Sequence, residues 1–163
     1  MGVSRRNGPS SPEEWLHLAV RYLARWDRTV AQVGRFLSLK GASAAQVRQA
    51  VGRLSDLGYL DDSRYALRWI ERRLARKPMG RDRLKAELEA GGIAEAVADR
   101  AIREAFREID EEALARRALT ARQRKGRRLT PAQAARLLHQ WGFAEETIDR
   151  MIRDRSGHEG LDA

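Results

Sequence analysis

Apolar residues return every three or four positions along most of the chain, the spacing that lines up one face of an α-helix. Trp15, Leu18, Ala19, Tyr22, Leu23 and Trp26 form the first such stripe. Ser11 stands just ahead of it, followed by Pro12 and Glu14. Ser11 is therefore the predicted N-cap, Pro12 takes the first helical position, and Glu14 closes a capping box. A break at Asp27-Arg28-Thr29 precedes a second stripe, Val30, Val33, Phe36 and Leu37, which stops at Lys40-Gly41. Ser43 and Gln46 make another capping-box pair, ahead of Val47, Ala50, Val51 and Leu54.

The next joint, Leu57-Gly58-Tyr59-Leu60-Asp61-Asp62-Ser63-Arg64-Tyr65-Ala66, is the densest in signal. Glycine ends one helical pattern, two aspartates and a serine offer caps, and a new amphipathic run begins at once. On that run Ala66, Ile70 and Leu74 share a face, which Tyr65 and Trp69 extend. Arg64, Arg68, Arg72 and Arg76 recur every fourth residue beside it and make a basic row.

The three-helix pattern recurs. Gly41, Gly92 and Gly142 each close a helix, and apolar residues follow at matched offsets: Val47, Ala98 and Ile148; Ala50, Ala101 and Met151; Val51, Ile102 and Ile152. A repeat of about fifty residues lies at the long end of helical repeat periods. Lys77-Pro78-Met79-Gly80 breaks the middle module, because proline lacks an amide and pushes its predecessor out of helical geometry. In the last module Thr130 is the predicted cap and Pro131 the first helical residue. No window alternates apolar and polar residues with β-branched enrichment. The expectation is an all-α protein of three tandem three-helix repeats, elongated and curved. A disordered arm is expected over 1–10, repeats over 11–62, 63–110 and 111–155, and a frayed tail over 156–163.

Charge changes the picture from scaffold to surface. The 163 residues carry a formal net charge of +9, and all but four of the 32 basic side chains are arginine. The excess is concentrated: residues 64–85 net +7, and residues 116–136 hold eight basic side chains and no acid. Acids collect instead in residues 86–112. Either the basic blocks line a surface that meets phosphate or an acidic protein, or each neutralises the acidic helix of a neighbouring module. The surface reading is preferred, since the charges around Lys125 have no local acid. Its candidate contacts are Arg64, Arg68, Arg72, Arg73, Arg76, Lys77, Arg81, Arg122, Arg124, Lys125, Arg127 and Arg128.

Catalytic chemistry finds no constellation. There is no cysteine, which removes disulfides, thiol nucleophiles and cysteine zinc sites together. His17, His139 and His158 are far apart, and His139, beside Trp141, reads as a packing residue. Asp61-Asp62 reads as a helix cap that also complements the dipole. Lys125-Gly126 lacks the glycine spacing of a P-loop. Trp15, Trp26, Trp69 and Trp141 all fall at apolar helical positions and read as core. No apolar run approaches a membrane span and no signal-peptide core is present, so a soluble cytoplasmic protein without catalytic activity, metal or cofactor is expected.

Three motifs carry a resemblance. Leu-Gly-Tyr-Leu-Asp-Asp-x-Arg-Tyr-Ala, at 57–66, resembles the signature of the RecX family of RecA regulators. Gly80-x-x-Arg83-Leu84-x-x-Glu87-Leu88, continuing to Gly92-Ile93, is similar to a second family pattern. Leu138-x-x-x-Gly142-Phe143-x-x-Glu146-x-Ile148 is similar to a third. The chain departs from the family at Trp141, where arginine is frequent, and at Ala94 and Ala144, where a capping Asp or Ser is usual. The resemblance implies three tandem three-helix repeats and no enzymatic activity. It also implies a protein that binds the RecA filament in its groove and inhibits recombination, ATP hydrolysis and co-protease activity, in some members with direct DNA binding. A monomer is expected. The alternatives are a general nucleic-acid-binding helical module and a helical scaffold for a different acidic protein.

Overall fold

The computed structural model describes residues 8–123 and 128–159, with side chains up to Arg155. Among the described residues every regular element is an α-helix. In chain order they are α1 (Pro12–Leu23), α2 (Val30–Leu39), α3 (Ala44–Asp56), α4 (Asp62–Arg76), α5 (Arg81–Ala90), α6 (Glu95–Ala105), α7 (Glu111–Gln123), α8 (Pro131–Gln140) and α9 (Glu145–Glu159). The all-α expectation is borne out. The caps read from Ser11, Ser43 and Thr130 are in place, each with its reciprocal box partner at Glu14, Gln46 or Gln133. Thr29 and Gln32 form a fourth box at the start of α2, and Ala94 opens α6 with no side-chain cap.

The helices gather into two compact units. One comprises the chain up to Tyr65 with Gly91–Ile93; the other comprises Ala66–Ala90 and the residues from Ala94 onward. In the first, α1, α2 and α3 pack together around Trp15, Ala19, Val33, Leu37, Ala50, Leu54 and Leu60. Each fully buried leucine there contributes roughly 1.5–3 kcal/mol of hydrophobic stabilisation. Tyr22 stacks on Phe36 with ring centroids 3.9 Å apart. The apolar stripe of α1 ends before Trp26, however. The helix stops at Leu23 with Ala24 as its C-cap, and Trp26 lies 69% exposed in the following turn rather than in the core.

In the second unit α4 buries Ala66, Ile70 and Leu74, as its spacing requires. Helices α5 and α6 pack together, as do α7, α8 and α9. Leu84, Leu88, Ala98, Leu114, Leu119, Leu138 and Phe143 supply much of its buried apolar surface. The start of α5 meets the α8–α9 turn backbone to backbone: the Gly80 N–H donates to Trp141 O at 2.9 Å and the Asp82 N–H to Gly142 O at 3.0 Å. A Cβ on Gly80 would overlap the Gly142 carbonyl, and Gly142 itself adopts φ +71°. Two glycines are required for that approach.

One side chain organises three elements of this unit. Glu111, only 7% exposed, accepts from the Arg81 N–H (3.1 Å), from Arg81 Nε (3.0 Å) and from the Thr147 hydroxyl (3.2 Å). At the chain ends the described residues include 8–10 of the expected arm and 156–159 of the expected tail. Ser10 donates its N–H and its hydroxyl to Glu14, which helps hold that carboxyl below the usual glutamate value. Helix α9 continues to Glu159, four residues beyond Arg155, since a helix once nucleated extends at little cost per residue. Residues 1–7 and 160–163 of the expected arm and tail lie outside the described residues.

Candidate nucleic-acid and protein interface

Helix α4 and the loop after it carry six of the twelve candidate side chains. Arg68, Arg72 and Arg76 are exposed, spaced one turn apart on a helix whose opposite face is buried by Ile70 and Leu74. Their exposure follows from the four-residue spacing, which keeps one strip of the helix turned away from the packed stripe. Lys77, also exposed, sets its ammonium 4.5 Å from the centre of the Trp141 ring. Trp141 is thus only half-buried and makes a cation–π seat rather than a core contact.

Other members hold the fold together. Arg73 makes a forked pair with Glu87, Nε at 2.9 Å and Nη2 at 3.3 Å, and Arg83 adds a third bond to the same carboxylate at 2.9 Å. The Arg73 bonds, with those of Arg83, hold the Glu87 carboxyl below its usual value against the opposing effect of partial burial. Arg81 spends its guanidinium on Glu111 and lies 5.0 Å from the Phe106 ring centre. Lys85 pairs with Asp99 at 2.7 Å, which raises its pKa, and lies near Glu89 and Glu95. Arg64 pairs with Asp61 at 3.4 Å across two exposed side chains. Three of the candidates, Arg64, Arg73 and Arg81, thus have acidic partners within the fold.

In the second basic block Arg122 and Arg128 are exposed. Arg116 is drawn toward Asp110 and Glu112, at 3.7 and 3.9 Å. Arg124, Lys125 and Arg127 lie outside the described residues.

Spacing alone misses what these pairs share. Glu87 is 14 residues from Arg73, and Glu111 is 30 from Arg81, so neither pair leaves a local sequence signal. The acids of 86–112 have a second role: Glu104, Glu108 and Asp110, with Glu71, line a cleft between α4 and α7 floored by Leu67, Ile70, Leu74 and Leu114. Arg117 also lines this cleft, against the four carboxylates. His139 is 69% exposed and bonds Glu145 at 3.0 Å, and so is a surface residue rather than a packed one. Among the described residues no cluster of three His, Asp or Glu is placed to hold a metal ion, and no helix is long and apolar enough to cross a membrane.

A sequence model of the second three-helix domain of RecX matches residues 61–102, which hold α4, α5 and most of α6. Regulatory protein RecX of Treponema pallidum (strain Nichols) is 32% identical over 83% of this chain and 81% of its own length. Regulatory protein RecX of Pelodictyon phaeoclathratiforme is 31% identical over 83% of this chain and 84% of its own. The crystal structure of RecX from Lactobacillus salivarius superposes with a TM-score of 0.73 over 88% of this chain and 95% of that one, at 20% identity. At that identity the likeness is one of fold.

Proposed function

The chain belongs to the RecX family of regulatory proteins, and from that premise we propose that it binds the RecA–DNA filament and restrains its recombinase, ATPase and co-protease activities. The observation that carries this reading further than the family is the exposed row Arg68, Arg72 and Arg76 on α4, inside the matched segment 61–102. Each guanidinium offers a planar set of donors to a phosphate or carboxylate.

In this account Arg68, Arg72 and Arg76 make the primary contacts, with Lys77 beside them. Arg122, Arg124, Lys125, Arg127 and Arg128 form a second contact region. Arg64, Arg73 and Arg81 act mainly by holding the fold through Asp61, Glu87 and Glu111. The protein works by occupancy: it covers filament surface that DNA or a client protein would otherwise reach. No bond is made or broken in this scheme.

The test is retention. Filaments of RecA on single-stranded DNA, DNA alone and RecA alone are each sedimented with the protein. The proposal expects much greater retention by the filament than by either component. Equal retention by DNA alone would instead make this a general nucleic-acid-binding helical module.

A further inference from the structure

Many acids of the middle stretch are spent inside the fold. Asp99 pairs with Lys85, Glu87 with Arg73 and Arg83, Glu111 with Arg81 and Glu112 with Arg150. Asp110 caps α7, accepting from the Glu112 N–H at 2.9 Å and the Ala113 N–H at 3.2 Å. Glu71, Glu104 and Glu108 differ. All three are exposed, and among the described residues none of them enters an ion pair. They come together on the cleft between α4 and α7, Glu71 from α4 and the other two from the end of α6 and the turn beyond it.

The cleft has a volume of about 630 Å³, and its lining lies wholly within one of the two compact units. Its floor is apolar. Ile70, Leu74 and Leu114 are buried there, whereas Leu67, Ile109 and Ala113 are only half-buried and still meet solvent. Among the described residues Arg117 is the one cation in the lining, against four carboxylates, so the site keeps an acid excess in a chain of formal net charge +9. An occupant that uses the whole site is therefore cationic and apolar at once. A bare cation gains nothing from leucine side chains, and a neutral apolar ligand gains nothing from the carboxylates. The floor is built largely from two helices, which keep their backbone donors and acceptors in their own hydrogen bonds. An extended peptide laid there would leave amides unpaired, whereas a helix satisfies its own and lays an apolar stripe into the groove.

We propose that this cleft docks a basic amphipathic helix of another protein. The apolar stripe of that helix covers Leu67, Ile109 and Ala113, and its Lys or Arg side chains meet Glu71, Glu104 and Glu108. Complementary charge of this kind fixes orientation and speeds encounter. The site uses no residue of the arginine row, and the inference does not depend on the filament reading.

The probe is a dye-labelled peptide of about 15 residues, with leucine at i, i+3, i+4 and i+7 and lysine elsewhere. Fluorescence anisotropy follows its binding to the full chain, without RecA or DNA, at about 0.1 M salt. The expected result is saturable binding, at least about tenfold tighter than that of a peptide of equal composition whose leucines share no face. Glu71→Gln/Glu104→Gln/Glu108→Gln should weaken binding at least about tenfold, and Arg117→Gln should strengthen it by removing a repelling charge. Ala113→Trp fills the cleft and should abolish binding. Leu67→Gln, a milder change for the fold, should weaken it, and circular dichroism verifies that both chains are helical. No binding, equal binding of the two peptides, or indifference to the carboxylate variant or to both floor variants overturns the proposal. So does a parent that sediments as a dimer and is made monomeric by the peptide, which would give the cleft to a second copy of this chain.

Discussion

Asp62 Oδ1 accepts a hydrogen bond from the backbone N–H of Val30 at 2.9 Å, across 32 residues of sequence. Of the two adjacent aspartates, only Asp61 bonds the first turn of its own helix, accepting from the Arg64 N–H at 2.9 Å. Asp62 instead satisfies the first amide of α2, one of the donors that a helix start leaves without an intrahelical partner. Burial pushes its carboxyl above the usual aspartate value, and the Val30 bond only partly opposes that. An amide side chain would keep the acceptor and drop the charge. Asp62→Asn should therefore melt close to the parent at neutral pH, whereas Asp62→Ala should lose about 1–3 kcal/mol by orphaning the Val30 N–H. Thermal melts of the three chains check the order.

Glycines make a second, oppositely signed pair. Gly80→Ala drives a methyl into the Gly142 carbonyl, and backbone cannot rotate aside as a side chain can. A loss of more than about 2 kcal/mol is expected. Gly52 lies within α3, exposed, with nothing within 4 Å of its would-be Cβ. Gly52→Ala should stabilise by roughly 0.5–1 kcal/mol through helix propensity and a less flexible unfolded chain. Chemical denaturation of both variants measures the two signs.

The Glu87 cluster sets an acid limb. Its carboxyl titrates below the ordinary value of 4.5 because Arg73 and Arg83 bond the charged form. A depressed carboxyl pKa adds stability that is fully present above the unfolded pKa and is lost as pH falls through the folded one. Glu87→Gln should thus lower the melting temperature at pH 7, and the gap to the parent should narrow as pH drops below about 4.5. A gap that is independent of pH would assign the loss to packing.

Direct DNA contact predicts a salt law. If about four to six phosphates are met, the logarithm of the single-strand binding constant should fall with log salt at a slope of about −3 to −4. Fluorescence anisotropy with a labelled oligonucleotide gives the slope, and two unrelated sequences should give the same one. Affinity indifferent to salt would remove phosphate from the interface.

The parts legible in sequence are those written within one helical turn. Ser11, Ser43 and Thr130 announce their helices because a cap and its box partner are three residues apart. Thr29 and Gln32 carry the same signal, one that reading by stripe alone passes over. Trp26 misleads because its spacing from Tyr22 fits a helix whether or not the chain still turns there. His139 follows buried Leu138 by one residue, which turns it off the packed face. The arginines illustrate the limit: spacing places Arg64 to Arg76 along one helix, but the pairing of Arg73 with Glu87 and of Arg81 with Glu111 is set by tertiary packing. Net charge by segment counts these side chains without knowing their partners.

The most direct measurement of the central claim is the ATPase of RecA on single-stranded DNA, titrated with the parent chain and with an Arg68→Glu/Arg72→Glu/Arg76→Glu variant. The variant should fold, because exposed substitutions usually shift stability by no more than about 0.5 kcal/mol each. Reversed charges at a close anionic interface cost several kcal/mol, so binding should suffer where folding does not. The account predicts that the parent suppresses hydrolysis and that the folded variant leaves it near the uninhibited rate. A parent without effect would contradict the regulatory role, and a variant as potent as the parent would show that the arginine row of α4 is not the surface that meets the filament.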